Sequence, residues 1–540
     1  MRVTFTFFLL VLVTSCSTTE TVDLIVHNAN IYTMDDENPN ATYLVVKDQK
    51  IVAIGLDEND LETFEAKEVI NANEKTLIPG IIDAHCHFYG LGLNQQRVDL
   101  AGTSSYDEII EKVKSFEQNN LKMQFILGRG WDQNDWAVKD FPTKDKLDLL
   151  FPDKAVVLER IDGHAYLVNQ KALDLAKINL KTPANGGAIV KKNGKLTGVL
   201  VDNPMQRMNR VIPELNRAEQ IQALKKAEEI CFSYGLTTVN DAGLSRSTIE
   251  LIDSLQQSGD LKIRVYAMVS NSPKDVNHFL DKGILKTDRL NVRSIKVYAD
   301  GALGSRGAAL KEEYSDQHNH FGAMVTPVSA IEQLAQRIAA SEYQMNTHAI
   351  GDSANAVVLR AYKKVLQGES DRRWKIEHAQ VIDLDDIENF STQILPSVQP
   401  THATSDMYWA EDRLGSERIK GAYAYKTLLE KSGVLPLGTD FPVEQVSPFL
   451  TFYAAVTRQD TAGYPQGGFI KSERLSPEEA LKGITLWPAY SNFEEGEKGS
   501  LESGKWADFV ILSKDILKAS SDELLDIQAE KTFVAGVQVY

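Results

Sequence analysis

The stretch "IIDAHCH", residues 81–87, sets His85 and His87 two positions apart. In a strand, alternate side chains leave the same face, so both imidazoles point one way and Cys86 the other. That is metal-ligand geometry, although a lone pair of this kind also fits packed or surface histidines. The case strengthens because four other strand-like segments end on a candidate ligand: Lys296 in "RSIKVYA", His348 in "YQMNTHA", His378 in "RWKIEHA" and Asp440 just after "VLPLGT". Lys296 is the odd member. Lysine is a poor strand residue, and a buried ammonium is costly unless it is paired.

These residues need elements that bring strand ends together. Strand-like segments recur at 81–87, 236–241, 261–269, 293–299, 343–349, 373–379, 393–399 and 434–439, and helical patterns such as "SAIEQLAQRIAASE" separate several of them. Strands alternating with helices predict a parallel sheet, and eight of them predict an α/β fold of the (β/α)8 TIM-barrel type. In such a barrel the strand ends converge on one rim, where active sites lie. The start signal of a late helix is explicit: Ser476, Pro477 and Glu479 supply an N-cap, a proline at the first position and a capping-box glutamate.

The interval 90–230 is too long for a simple crossover, so it predicts an extra subdomain over the barrel mouth. Short strands with turns fill residues 22–78, and the last segment, 486–540, has the same character. Together they predict a small β-sandwich built from both chain ends, with the barrel at 79–485.

The amino terminus predicts export. "MRVTFTFFLLVLVTSC" has a positive start and an apolar stretch from Phe5 to Val13, too short to span a membrane as a mature helix. Val13-Thr14-Ser15-Cys16 resembles a bacterial lipoprotein signal, with Cys16 as the lipidated residue; a plain signal peptide cut near Ser17 is the alternative. Residues 1–16 would then be removed or modified, and a lipid anchor would hold the body at the periplasmic or outer surface. Only Cys86 and Cys231 remain, too few for a disulfide framework. The 540 residues carry 58 basic and 75 acidic side chains, net −17, which gives no electrostatic reason to bind nucleic acid or an anionic membrane. A small-molecule substrate is the default, and the sequence leaves open a monomer or a homodimer.

The motifs carry a family resemblance. "TLIPGIIDAHCH", "NTHAIGD", "KIEHAQ", "LGTDFPV" and "KGSLESGKWADFVIL" resemble the amidohydrolase superfamily of metal-dependent hydrolases. "GRGWDQNDW", "RIDGHAYLVNQKAL", "KVYADGALGSRGAAL" and "SVQPTHATSDM" resemble its amidohydrolase-3 branch, which includes N-substituted formamide deformylases. The match runs from about Val22 to the carboxyl terminus.

The resemblance implies that His85 and His87 bind one divalent metal, that His348 and His378 bind a second, and that Asp440 completes the first. Imidazole and carboxylate suit Zn²⁺ and its neighbours. Asp440 would serve as general base and then acid. Related enzymes carboxylate a lysine at the position of Lys296, which implies two metals per chain; with an unmodified Lys296, binding substrate or pairing with Asp300, a single metal is implied. His164, His402, Asp300 and Trp131 are candidate substrate contacts, with Trp136 and Tyr408 as further aromatic wall, although aromatics are often plain core. Gly307 stands where this branch often has threonine. The implied reaction is hydrolysis of a C–N bond in an amide, N-formyl or cyclic amide substrate; the alternatives are a mononuclear deaminase or a non-catalytic barrel lipoprotein that binds a small molecule.

Overall fold

The computed structural model describes residues 19–120, 123–213, 215–368 and 371–540. Cys16 and the export signal lie outside the described residues. Among the described residues no helix is long and apolar enough to cross a membrane, and Cys86 and Cys231 are buried and free.

Seven parallel strands run in chain order around the barrel: Ile81–Cys86, Leu236–Leu244, Arg264–Ser270, Leu290–Tyr298, Gln344–Ala349, Trp374–His378 and Ile394–Ser397. The period-two alternation sorts each strand between two environments. On the fourth strand Ile295 and Val297 join the core under the outer helices, while Ser294 and Lys296 turn to the barrel interior. The outer helices show the complementary spacing: Val328–Ala339 buries Ile331, Ala335 and Ile338. Helix Pro477–Gly483 starts on Ser476 with its capping box and Pro477 in place.

The predicted eighth strand, 434–439, is not a regular strand. Pro436 has no amide to give, and the Leu437 amide is drawn away to the Gly483 carbonyl at 2.9 Å. The segment nevertheless closes the barrel. Val398 donates to Pro436 and Gly438 to Val398 at 3.1 and 3.0 Å on one side, while Ala84 donates to Leu437 and Asp440 to His85 at 3.1 and 2.8 Å on the other.

Between the first and second barrel strands lies a six-stranded sheet whose edge strands are Val98–Asp99 and Gly187–Lys192. Apolar clusters centred on Leu158 and Leu200 cover its two faces. The chain ends form a four-stranded and a six-stranded sheet, the latter pairing Thr76–Pro79 with Phe509–Leu512. One core containing Leu24, Leu44, Leu77, Phe509 and Phe533 lies between them. Barrel and sandwich are tied by a buried bidentate pair, Arg264 to Asp508 at 2.6 and 3.0 Å, capped by Trp506 stacked over the guanidinium.

Candidate metal centre

The barrel closure itself builds the first half of the site. Asp83, two residues before His85, is buried and accepts the His85 amide at 3.1 Å, the Thr439 amide at 3.1 Å and the Thr439 hydroxyl at 2.7 Å. At Gly438 a Cβ would stand 2.5 Å from the His85 nitrogen, so only glycine lets the two chain segments approach this closely. Asp440 then takes a left-handed backbone, φ 60°, which turns its carboxylate to the histidines. Oδ1 lies 3.1 Å from His87 Nε2 and 3.6 Å from His85 Nε2, and Oδ2 lies 3.6 Å from His402 Nε2. Burial opposes charge on Asp440, but the neighbouring His87 and the surrounding imidazoles hold its carboxyl well below the usual range.

The second half comes from the sixth and seventh strands. His378 ends the sixth strand at φ 74°, and Gln399 Oε1 holds its Nδ1 at 2.7 Å, leaving the other ring nitrogen for a ligand. His402 sits in the first turn of helix Pro400–Asp406. Lys296 reaches His85 Nε2 at 3.3 Å, and burial lowers its ammonium to about 8. It is therefore not paired with Asp300.

The donor atoms form two groups, His85 with His87 and Asp440, and His378 with His402 and Asp440, each within 4.8 Å. Asp440 Oδ1 and His402 Nε2 are buried and make no hydrogen bond despite these approaches. Buried polar atoms are normally satisfied, so two such atoms without partners fit a site built for a cation. Imidazole and carboxylate donors suit a first-row divalent metal. The rings of His348 and His378, expected to share a metal, stand 4.6 Å apart, and His348 Nε2 lies 3.5 Å from the Gly301 carbonyl. His402, expected to touch substrate, also stands with His378, their rings 5.9 Å apart.

A cavity of about 920 Å³ opens above these residues, walled on one side by Arg129, Arg160, Asp162 and His164 of the inserted sheet. His164 Nδ1 meets Asp202 Oδ1 at 2.7 Å. Burial works against its charge, yet Asp202 holds the imidazole above its usual range. A Cβ on Gly301 or on Gly307 would fall 2.6 Å from Asp202 Oδ2, so the missing side chain at 307 makes room for this carboxylate.

Two expected substrate contacts are corrected. Asp300 is fully buried and spends its oxygens on the amides of Ala309, Ile350 and Gly351 at 2.8–3.0 Å, because the loops after the fourth and fifth strands need those donors satisfied. Trp131 is core of the inserted sheet, its indole N–H donating to the Leu158 carbonyl at 2.9 Å, and neither residue lines the cavity. Trp136 is also buried, and Tyr408 is exposed outside the cavity lining.

Other residues of the site were missed. Glu377 holds His85 Nδ1 at 2.6 Å, and its place beside His378 in "KIEHAQ" was the available signal. Asp83 and Gln399 also went unread, and nothing in the sequence marks Asp202.

The comparisons agree with this geometry. The model described as "Amidohydrolase family" matches residues 68–540. A putative amidohydrolase, YtcJ, of Bacillus subtilis (strain 168) is 33% identical over 95% of this chain and 98% of its own length. N-substituted formamide deformylase of Arthrobacter pascens is 25% identical over 97% of this chain and 99% of its own. Among solved structures, an uncharacterised metal-dependent hydrolase from Pyrococcus horikoshii OT3 superposes with a TM-score of 0.75 at 27% identity, covering 92% of this chain and 99% of the other. A barrel closed by Asp83 and Thr439, with histidines and one aspartate converging at its rim, thus belongs to a chain that is a member of the amidohydrolase family.

Proposed function

We propose that this chain hydrolyses a C–N bond other than a peptide bond, in a small amide, N-formyl or cyclic amide substrate. The observation that carries the reading is Asp440 Oδ1, buried without a hydrogen bond 3.1 Å from His87 Nε2 at the floor of a cavity of about 920 Å³. The deformylase relative supports the C–N choice. His85, His87 and Asp440 would hold one divalent metal, Zn²⁺ by donor chemistry, and His378 and His402 would share Asp440 with a second. A divalent metal supplies polarisation of the scissile carbonyl and acidification of the attacking water.

The chain's own groups do the rest. Asp440, held as a carboxylate, accepts the proton of the attacking water and delivers it to the leaving nitrogen. His164, fixed by Asp202, faces the substrate from the inserted sheet, which walls one side of the cavity. Lys296, with its ammonium lowered to about 8 by burial, loses one proton and adds its neutral amine to CO₂: an N–C bond forms as one C=O π bond breaks onto oxygen, a second proton leaves to solvent, and a cation becomes an anionic oxygen donor. Intact mass of the native protein, about 44 Da heavier when carboxylated, reads this step.

The same reading places the protein outside the cytoplasm, tethered by a lipid on Cys16, and working on a small molecule. The test of the activity is a screen of N-acyl, N-formyl and cyclic amide compounds with the zinc-loaded protein. Turnover that disappears in His85→Ala supports it, and turnover retained in both His85→Ala and Asp440→Asn overturns it.

A further inference from the structure

Beside Lys296, which lines the cavity, the barrel interior holds polar groups that the protein leaves unsatisfied. Lys296, Asn346 and Lys375 stand side by side on the fourth, fifth and sixth strands, since Lys296 is in register with Asn346 and Asn346 with Lys375. All three are buried. Lys375 Nζ, both amide atoms of Asn346 and Glu377 Oε1 make no hydrogen bond, and neither does Ser397 Oγ on the strand in register with Glu377. A buried polar group left dry is destabilising, so this many in one place point to ordered water with several polar partners.

Glu377 faces two ways across this layer. Its Oε2 is 2.6 Å from His85 Nδ1. Its Oε1 is 3.8 Å from Lys375 Nζ, beyond a direct hydrogen bond but close enough for one water to serve both. The tautomer of a ligating histidine is set by what its other nitrogen meets. A carboxylate at Nδ1 keeps the proton there and leaves Nε2 as a lone pair toward Asp440 and Lys296.

We propose that Lys375 is a positioning residue of the metal centre: through an ordered water shared with Asn346 it anchors Glu377, which fixes the proton of His85 on Nδ1. Lys375 touches neither the cavity nor the metal donors, and it acts through Glu377. An arginine could reach the same carboxylate, whereas a methionine would fill the space without charge or donor. The inference rests on the metal-binding reading above.

The test uses full-length protein carrying Lys375→Met or Lys375→Arg. Zinc affinity is measured by competition with a chromophoric chelator, the metal-free protein by thermal unfolding, and the cobalt-loaded protein by its visible spectrum. The expected result is a zinc affinity lowered about 10–100-fold and a shifted cobalt spectrum in Lys375→Met, both partly restored in Lys375→Arg. Unchanged affinity and spectrum in Lys375→Met overturn the proposal, as does a loss of metal-free stability with zinc affinity intact. A wild-type protein that binds no zinc overturns the metal reading as well. Should Lys375→Met fail to fold, a high-resolution crystal structure of the zinc-loaded wild type decides: a water bonded to both Lys375 Nζ and Glu377 Oε1 supports the proposal, and a dry gap overturns it.

Discussion

Asp440 Oδ1 lies 3.1 Å from His87 Nε2, a contact between the segment that closes the barrel and the strand that opens it. The approach depends on hydrogen bonds that have nothing to do with metal: the Asp440 amide to the His85 carbonyl, and Thr439 to the buried Asp83. Closure of the fold and assembly of the site are one event.

Asp440→Asn keeps the shape of the side chain but removes the charge and the proton acceptor. Turnover is expected to fall by roughly 10²–10⁴-fold, with zinc content reduced and the unfolding midpoint of the metal-free protein nearly unchanged. Steady-state kinetics beside elemental analysis check it, and a variant with wild-type turnover contradicts the role given to Asp440.

Gly307→Ala tests the space kept for Asp202. The added Cβ would stand 2.6 Å from Asp202 Oδ2 and 3.2 Å from the Gly301 Cα, so the carboxylate must move and His164 with it. The protein is expected to fold, with substrate turnover reduced by up to about 10²-fold because a misplaced contact residue loses orientation. Circular dichroism and kinetics on the same preparation separate this outcome from simple unfolding.

Asp508→Ala leaves Arg264 buried without its bidentate partner, at a cost of about 3–5 kcal/mol. Denaturant unfolding followed by tryptophan fluorescence measures it. The pair also gives an acid limb to stability. Burial opposes the charge on Asp508, but Arg264 holds its carboxyl below the usual value of 3.8. A depressed carboxylate stabilises the fold above its unfolded pKa and loses that contribution as pH falls through the folded one. Stability of the wild type is therefore expected to drop more steeply than that of Asp508→Ala below about pH 4.

Cys16→Ser removes the sulfur to which the proposed lipid would be attached. In a bacterial host the wild type is expected to incorporate labelled palmitate and sediment with membranes, and the variant to do neither. Palmitate-free wild type in the soluble fraction would leave a plain signal peptide as the correct reading of residues 1–16.

The sequence by itself was enough for the elements and for half the site. Two-residue spacing was enough to expect His85 and His87 on one side, and both do face Asp440, although the strand ends at Cys86 and His87 caps the helix that follows. Other local rules carry the alternation of strands with helices, the capping box at Ser476 and the positions of His348 and His378 at the ends of their strands. Partner choice was decided elsewhere. That His402 also stands with His378 and Asp440, that Asp300 serves the loops after the fourth and fifth strands, and that Trp131 is core all follow from which strands lie side by side and how the chain bends at their ends. Glu377 against His85, Asp202 under Gly307 and Asp83 against Thr439 join residues far apart in the chain. A carboxylate's role is set by the donor it meets, and closing the barrel is what brings those donors within reach.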